Sequence, residues 1–182
     1  MTHFPVHTQD TAPERSRPIL AQVEKAFGFV PNLAGMLAEA PAALEGYLAV
    51  AAAFGKSSLS KVEQQVVLLA TSVENGCRYC VAAHSMIAAG EGMPEGTVTA
   101  LRSKAPLAEA RLETLRRFTV AVVRNRGWVA DELGAFLEAG FTRANALEVI
   151  TGVTQKTLSN YANHLAETPV DAAFEPHAWA TA

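Results

Sequence analysis

The residues best suited to chemistry in this sequence are two cysteines and a histidine, Cys77, Cys80 and His84, which lie within eight positions of one another. At about 100° per residue, all three would share one face of a helix. The thiols could then close a disulfide, and the imidazole could take a thiol proton or deliver one to a leaving oxygen. Peroxide reduction uses these parts: an attacking thiolate, a proton donor, and a second thiol that condenses with the sulfenic acid.

The Asn75-Gly76 pair just before the cysteines predicts a break between two helices. The cysteines would therefore lie in the first turn of the second helix, which we expect to run from about Cys77 to Ala89. Free amide N–H groups and the positive end of the helix dipole lower the pKa of a thiol at such a position.

Two other interpretations of the same residues remain open. The cysteines could be small buried hydrophobic side chains without a chemical role. With His84 they could instead bind zinc, although a structural zinc site has four ligands and the sequence offers no second C-x-x-C or histidine pair.

Composition limits the remaining classes of function. The chain has 182 residues, 49% of them hydrophobic, and a net charge of −3, which excludes a basic nucleic-acid-binding protein. The longest wholly apolar run, Tyr47 to Phe54, is too short to span a bilayer, and the first residues lack the apolar core of a secretory signal. We therefore expect a single-domain cytoplasmic protein without nucleic-acid or membrane partners.

The elements that must position these residues are predicted to be helices throughout. Prolines interrupt residues 1–18, which predicts an extended arm, and residues 19–182 are predicted to form one all-α domain with an irregular tail after residue 167. Helix starts are indicated by a capping box at Ser60 and by Thr142, and helix ends by glycines. The leucine and alanine stripes, including that of the last helix, are predicted to form the core.

The Cys-x-x-Cys-x-x-x-His pattern after the Asn-Gly break, preceded by the apolar helix Val66–Val73, resembles the alkylhydroperoxidase D / carboxymuconolactone decarboxylase family. The resemblance covers most of residues 40–176. It implies an all-helical fold that assembles into homo-oligomers, trimers or hexamers, through its helices. For the peroxidase branch it implies that Cys80 attacks the hydroperoxide, and that Cys77 resolves the product and exchanges with an external dithiol reductant.

One position departs from the family pattern. The family has a proton-relay glutamate twelve residues before the first cysteine, where this chain has Gln65. An amide forms hydrogen bonds but does not shuttle protons at neutral pH. Gln65 is predicted to face inward and meet a polar partner. Glu74, three residues before Cys77, is a candidate to supply the missing carboxylate, or else a solvated charge at a helix end. His164 is predicted to be a core or interface histidine, with a role in the pocket as the alternative.

The sequence thus predicts a thiol-dependent hydroperoxide reductase with no metal or cofactor, acting on a small hydroperoxide through Cys80, Cys77 and His84, assisted by Glu74 or Gln65. A decarboxylating lyase acting on a small lactone acid is the alternative enzyme. A zinc-binding or purely structural oligomer is the alternative without catalysis.

Overall fold

The computed structural model describes residues 4–180, and within them the regular structure is entirely helical, which confirms the predicted all-α class. Nine α-helices occur in this part of the chain: α1 Arg17–Phe27, α2 Asn32–Leu37, α3 Pro41–Phe54, α4 Lys61–Glu74, α5 Arg78–Gly90, α6 Glu95–Arg102, α7 Ala110–Arg124, α8 Ala130–Glu138 and α9 Arg143–Ala166. Short 3₁₀ turns cover Glu14–Ser16 and Glu175–His177. None of the helices in residues 4–180 is long and apolar enough to cross a membrane.

Local sequence signals account for several helix boundaries. The Ser60 hydroxyl accepts the Glu63 backbone N–H, and the Glu63 carboxylate accepts the Ser60 N–H, so the predicted capping box is present. Thr142 and Asn145 form the same reciprocal pair at the start of α9. The helix predicted from residue 19 begins at Arg17, because Pro18 is tolerated in a first turn. The first three residues of the predicted arm lie outside the described part of the chain.

Helix α4 is central, with α5, α7 and α9 packed around it. Its apolar residues belong to a core shared with α7 and α8, where the rings of Phe118, Phe136 and Phe141 stack at centroid distances of 4.2 and 4.3 Å. A second apolar cluster joins α1, α2 and the start of α5, and it contains both cysteines. The cysteines thus lie inside the fold, where burial opposes ionisation unless other groups compensate.

The leucine stripe of α9 is predicted to lie in the core, but the structure places it on the surface. Leu147 and Leu165 are 70% and 73% exposed, whereas the buried face is largely polar. That buried face carries Gln155, Lys156, Ser159, Asn160 and Asn163. The spacing of apolar residues identifies an amphipathic helix, and the usual inference is that its apolar face packs in the core. In α9 the polar face is buried instead, because its side chains hydrogen-bond to residues of α4 and α5.

The tail after α9 packs against the rest of the domain. The Asp171 carboxylate accepts the backbone N–H of Asn32 and the hydroxyl of Tyr79, the latter at 2.5 Å. The Phe174 ring lies edge-on to Tyr79 and is buried. The tail therefore closes over the start of α5, next to the cysteines.

Candidate active site

The backbone around the cysteines follows from the Asn-Gly break. Gly76 adopts φ +71°, a conformation that other residues rarely take, and the Cys77 N–H then bonds to Ser72 O at 2.9 Å. Helix α5 begins at Arg78, one residue later than predicted, so Cys77 is its N-cap and Cys80 lies in its first turn. Both are free thiols, each 1% exposed.

Polar groups of α9 surround the Cys80 sulfur. The Asn163 amide Nδ2 lies 3.3 Å from Cys80 Sγ and 3.8 Å from Cys77 Sγ, and Ser159 Oγ lies 3.7 Å from Cys80 Sγ. Burial opposes ionisation of Cys80, but the hydrogen bond from Cys77, the Lys156 ammonium charge and the Ser159 and Asn160 side chains together hold the pKa of Cys80 well below its usual value. The pKa of Cys77 is raised by the hydrogen bond that Cys77 makes to Cys80 and by burial. Of the two thiols, Cys80 is therefore the one that ionises more readily, which is the property expected of a nucleophilic cysteine.

His84 belongs to a hydrogen-bonded chain that fixes its tautomer. The Gln65 amide Nε2 donates to the Glu91 carboxylate at 3.3 Å, so Gln65 Oε1 faces His84 Nδ1 at 2.9 Å as an acceptor. His84 Nδ1 must then carry the proton, which leaves the Nε2 lone pair directed at the Lys156 ammonium, 2.9 Å away. Burial and the Lys156 charge lower the pKa of His84 well below its usual value. The imidazole is thus neutral.

Lys156 is the functional residue that the sequence reasoning missed. It is 1% exposed, and although burial opposes its charge, the neighbouring Cys80 sulfur raises its pKa. Nothing near it in sequence resembles a motif. The available signal was a lysine on the same face of α9 as Ser159, Asn160 and Asn163, which made that face uniformly polar.

The structure brings together Cys77, Cys80, His84 and Gln65 but places Glu74 elsewhere. Arg124 binds the Glu74 carboxylate through Nε at 2.6 Å and a second nitrogen at 3.0 Å. Glu74 lines surface cavities that do not include the cysteines or His84. His164 is exposed and lines a cleft that also reaches Cys77.

An apolar cavity of about 330 Å³ leads to the thiolate side of the site. Its walls come from α1, α2, α3 and α5 and from the tail after α9, which contributes Phe174. Cys80, His84 and Lys156 form its polar end. Gln155 also lines it, and its buried Oε1 has no hydrogen-bond partner within residues 4–180. The cavity suits a small, mostly apolar molecule with one polar group.

Metal ligands are not assembled at this site. Within the described residues, no three His, Cys, Asp or Glu side chains lie together so that they could hold one ion. The sulfurs are instead in contact with the Asn163 amide and the Ser159 hydroxyl, and the Lys156 ammonium acts on them through its charge.

Comparison with known proteins confirms the family resemblance. Residues 38–119 match the model of the carboxymuconolactone decarboxylase family. This segment includes both cysteines, His84 and Gln65, and it ends before α9. Comparison with curated proteins gave no match.

Solved structures share the fold at low sequence identity. An alkylhydroperoxidase AhpD core, an uncharacterized peroxidase-related protein from Ralstonia eutropha, aligns with TM-score 0.83 and 24% identity over 94% of this chain and 93% of that chain. A peroxidase-related protein from Silicibacter sp. gives 0.80 and 19%, covering 95% and 92%. The C82A variant of the debrominase Bmp8, in complex with 2,3,4-tribromopyrrole, gives a TM-score of 0.79 and 16% identity, covering 97% of this chain and 95% of that chain.

Proposed function

We propose that this chain, which carries a carboxymuconolactone decarboxylase family segment and has the fold of peroxidase-related proteins, is a thiol-dependent hydroperoxide reductase. One observation carries the proposal: a buried cysteine with a lowered pKa and an ammonium group meet at the end of an apolar cavity, with a second, protonated cysteine next to the first. A lyase acting on a lactone acid has no use for two thiols held in this way.

The first step is attack of the Cys80 thiolate on the terminal oxygen of a small organic hydroperoxide. The O–O bond breaks, Cys80 becomes a sulfenic acid, and the remaining oxygen leaves as an alkoxide that takes a proton. Lys156 is the proton donor that we assign, because its Nζ lies against both the thiolate and His84 Nε2. The unpartnered Gln155 Oε1 can accept the O–H of the hydroperoxide and hold its terminal oxygen in the cavity.

The second step converts the sulfenic acid into a disulfide. Cys77 attacks the Cys80 sulfenic acid, forming the disulfide and releasing water, and an external dithiol later returns both cysteines to thiols. Gln65 and Glu91 act only by holding His84 in the tautomer that accepts from Lys156. Glu74 takes no part in this proposal, because its carboxylate is bound to Arg124. The cycle needs a reducing compartment, such as the cytoplasm.

A reductive dehalogenase acting on a small halogenated aromatic ring is the second candidate function. The cavity favours it, because Phe27, Tyr47 and Phe174 line the walls and would contact a flat ring. Such a reaction would also convert two thiols into one disulfide, replacing a carbon–halogen bond with a carbon–hydrogen bond and releasing halide.

We also propose that the chain assembles as a homo-oligomer through the outer face of α9. Leu147, Ile150, Tyr161 and Leu165 lie within about 60° of one another around the helix and are all exposed. An exposed apolar stripe along a long helix marks a contact surface, and a second copy offers the matching stripe.

The proposal is tested by counting free thiols on reduced, metal-free protein before and after one equivalent of cumene hydroperoxide. We expect the loss of two thiols per chain with consumption of the peroxide. Cys80→Ser should abolish turnover, whereas Cys77→Ser should retain a sulfenic acid that dimedone traps. Retention of both thiols, or full turnover by Cys80→Ser, would refute the assignment. Loss of thiols with tribromopyrrole but not with the hydroperoxide would favour the second candidate.

A further inference from the structure

The two cysteines open into different cavities. Cys80 lines the apolar cavity, whereas Cys77 lines a separate cleft of about 350 Å³ between the start of α5 and the end of α9. Tyr79, which lies between the two cysteines in sequence, lines both cavities and separates one cavity from the other. A molecule in one cavity therefore approaches only one of the two sulfurs.

The second cleft, which we call the Cys77 cleft, contains two buried polar atoms without partners. Asn163 Oδ1 and Thr168 Oγ1 have no hydrogen-bond partner in the part of the chain that the structure describes, and their side chains are 4% and 9% exposed. The Asn163 Nδ2 group is already directed at the sulfurs, whereas its Oδ1 is left without a partner in a residue that lines the cleft. An unsatisfied buried polar atom is destabilising, and a ligand with N–H donors would satisfy it.

Thiol–disulfide exchange also distinguishes the two sulfurs. An incoming thiolate attacks one sulfur of a disulfide, and the other leaves more readily when its thiolate is stabilised. The Cys80 thiolate is the stabilised one here, with Lys156, Asn163 and Ser159 around it. Attack at Cys77, from the Cys77 cleft, is therefore the favoured direction of reduction.

We propose that the Cys77 cleft binds a cysteine-containing peptide segment of a dithiol reductant, with Asn163 Oδ1 and Thr168 Oγ1 accepting its backbone N–H groups. This inference rests on the proposed dithiol cycle and adds the site and chemical class of the reductant. The peptide thiolate attacks Cys77 Sγ, the Cys77–Cys80 bond breaks, and its electron pair leaves on Cys80. The second peptide thiol then attacks the mixed disulfide, which oxidises the peptide to a disulfide and returns its proton to Cys77.

Thr168 provides the test, because its side chain can lose the hydroxyl with little change of shape. The protein is oxidised to the disulfide with diamide, and its reduction by acetyl-Cys-Gly-Pro-Cys-amide is compared with its reduction by dithiothreitol, which has no amide. We expect Thr168→Val to slow reduction by the peptide about fivefold, the effect of one lost hydrogen bond, and to leave reduction by dithiothreitol unchanged. Thr168→Ser, which keeps the hydroxyl, should restore the rate with the peptide.

Thr157→Val is the matched control, because the Thr157 hydroxyl bonds within α9 to Val153 O and lies outside the cleft. It should alter neither rate. Equal slowing of both reductants by Thr168→Val, or no slowing of either, would overturn the assigned cleft. Because diamide forms the disulfide without peroxide, these results are independent of the thiol count with cumene hydroperoxide, and either proposal can fail without the other.

Discussion

Lys156 Nζ lies 2.9 Å from His84 Nε2, and these two buried groups join α9 to α5 at the Cys80 sulfur. The sequence predicted that His84, assisted by Glu74 or Gln65, would manage protons, whereas the proposed mechanism assigns proton donation to Lys156. A neutral imidazole that accepts from an ammonium group holds the ammonium in place without competing for the thiolate. This division of roles explains how the site can dispense with the relay glutamate that Gln65 replaces.

Replacing Lys156 with methionine should shift the pH dependence of the reaction. The lowered pKa of Cys80 keeps its thiolate populated at neutral pH, and this population is lost only as pH falls through that lowered value. Without the ammonium charge the pKa rises, so the rate of peroxide-driven thiol loss at pH 7 should fall about tenfold for each unit by which the pKa comes to exceed 7. The rate should rise again as pH passes through the new pKa, to a plateau below that of the unmodified chain, because the proton donor is also lost. Stopped-flow rates between pH 5 and 9 measure the shift.

Lys25→Met, a change of the same type at an exposed position of α1, is the control and should leave the profile unchanged. Thermal melts of both variants establish that they are folded. A Lys156→Met protein with the same pH profile as the unmodified chain would show that Lys156 does not stabilise the thiolate.

Replacing Gln65 with glutamate should raise the pKa of His84. The new carboxylate would lie within hydrogen-bond distance of Nδ1, and an opposite charge at that distance raises the pKa of an imidazole by about 1–3 units. Titration of the His84 ring nitrogens by ¹⁵N NMR measures the change directly. Gln65→Leu removes the hydrogen bond without adding charge and should not raise the pKa. An identical titration for both variants would contradict the contact between residue 65 and the ring.

Much of this fold was predictable, because helix boundaries depend on local signals such as the Ser60 capping box and the Asn75-Gly76 break. The orientation of α9 was not, because it depends on partners far away in sequence. Lys156 meets His84 across 72 positions, and Asn163 meets Cys80 across 83. Only the packing of α9 against α4 and α5 shows that its polar face is the buried one.

That packing gives a stability prediction at Gly152. A Cβ on this residue would lie 2.8 Å from ring atoms of Phe54 and from a methyl carbon of Val67, so α9 can approach α3 and α4 only with glycine here. We expect Gly152→Ala to destabilise the protein by about 1–3 kcal/mol through overpacking. Gly46→Ala, in α3 with open space around the new methyl group, should instead stabilise by about 0.5–1 kcal/mol. Urea unfolding at one fixed protein concentration compares the two free energies, and equal shifts would contradict the close packing.

The exposed stripe on α9 gives the last prediction, on self-association. If a second copy covers Leu147 and Leu165, light scattering after gel filtration should give a multiple of the 19.3 kDa chain mass. Changing both leucines to lysine should shift the mass to that of one chain, because two desolvated charges would face each other across a symmetric contact. Trp128→Lys removes a side chain that is 87% exposed on another surface and should leave the assembly intact. A monomeric unmodified chain, or an unchanged mass for the double variant, would exclude this face of α9 as the contact.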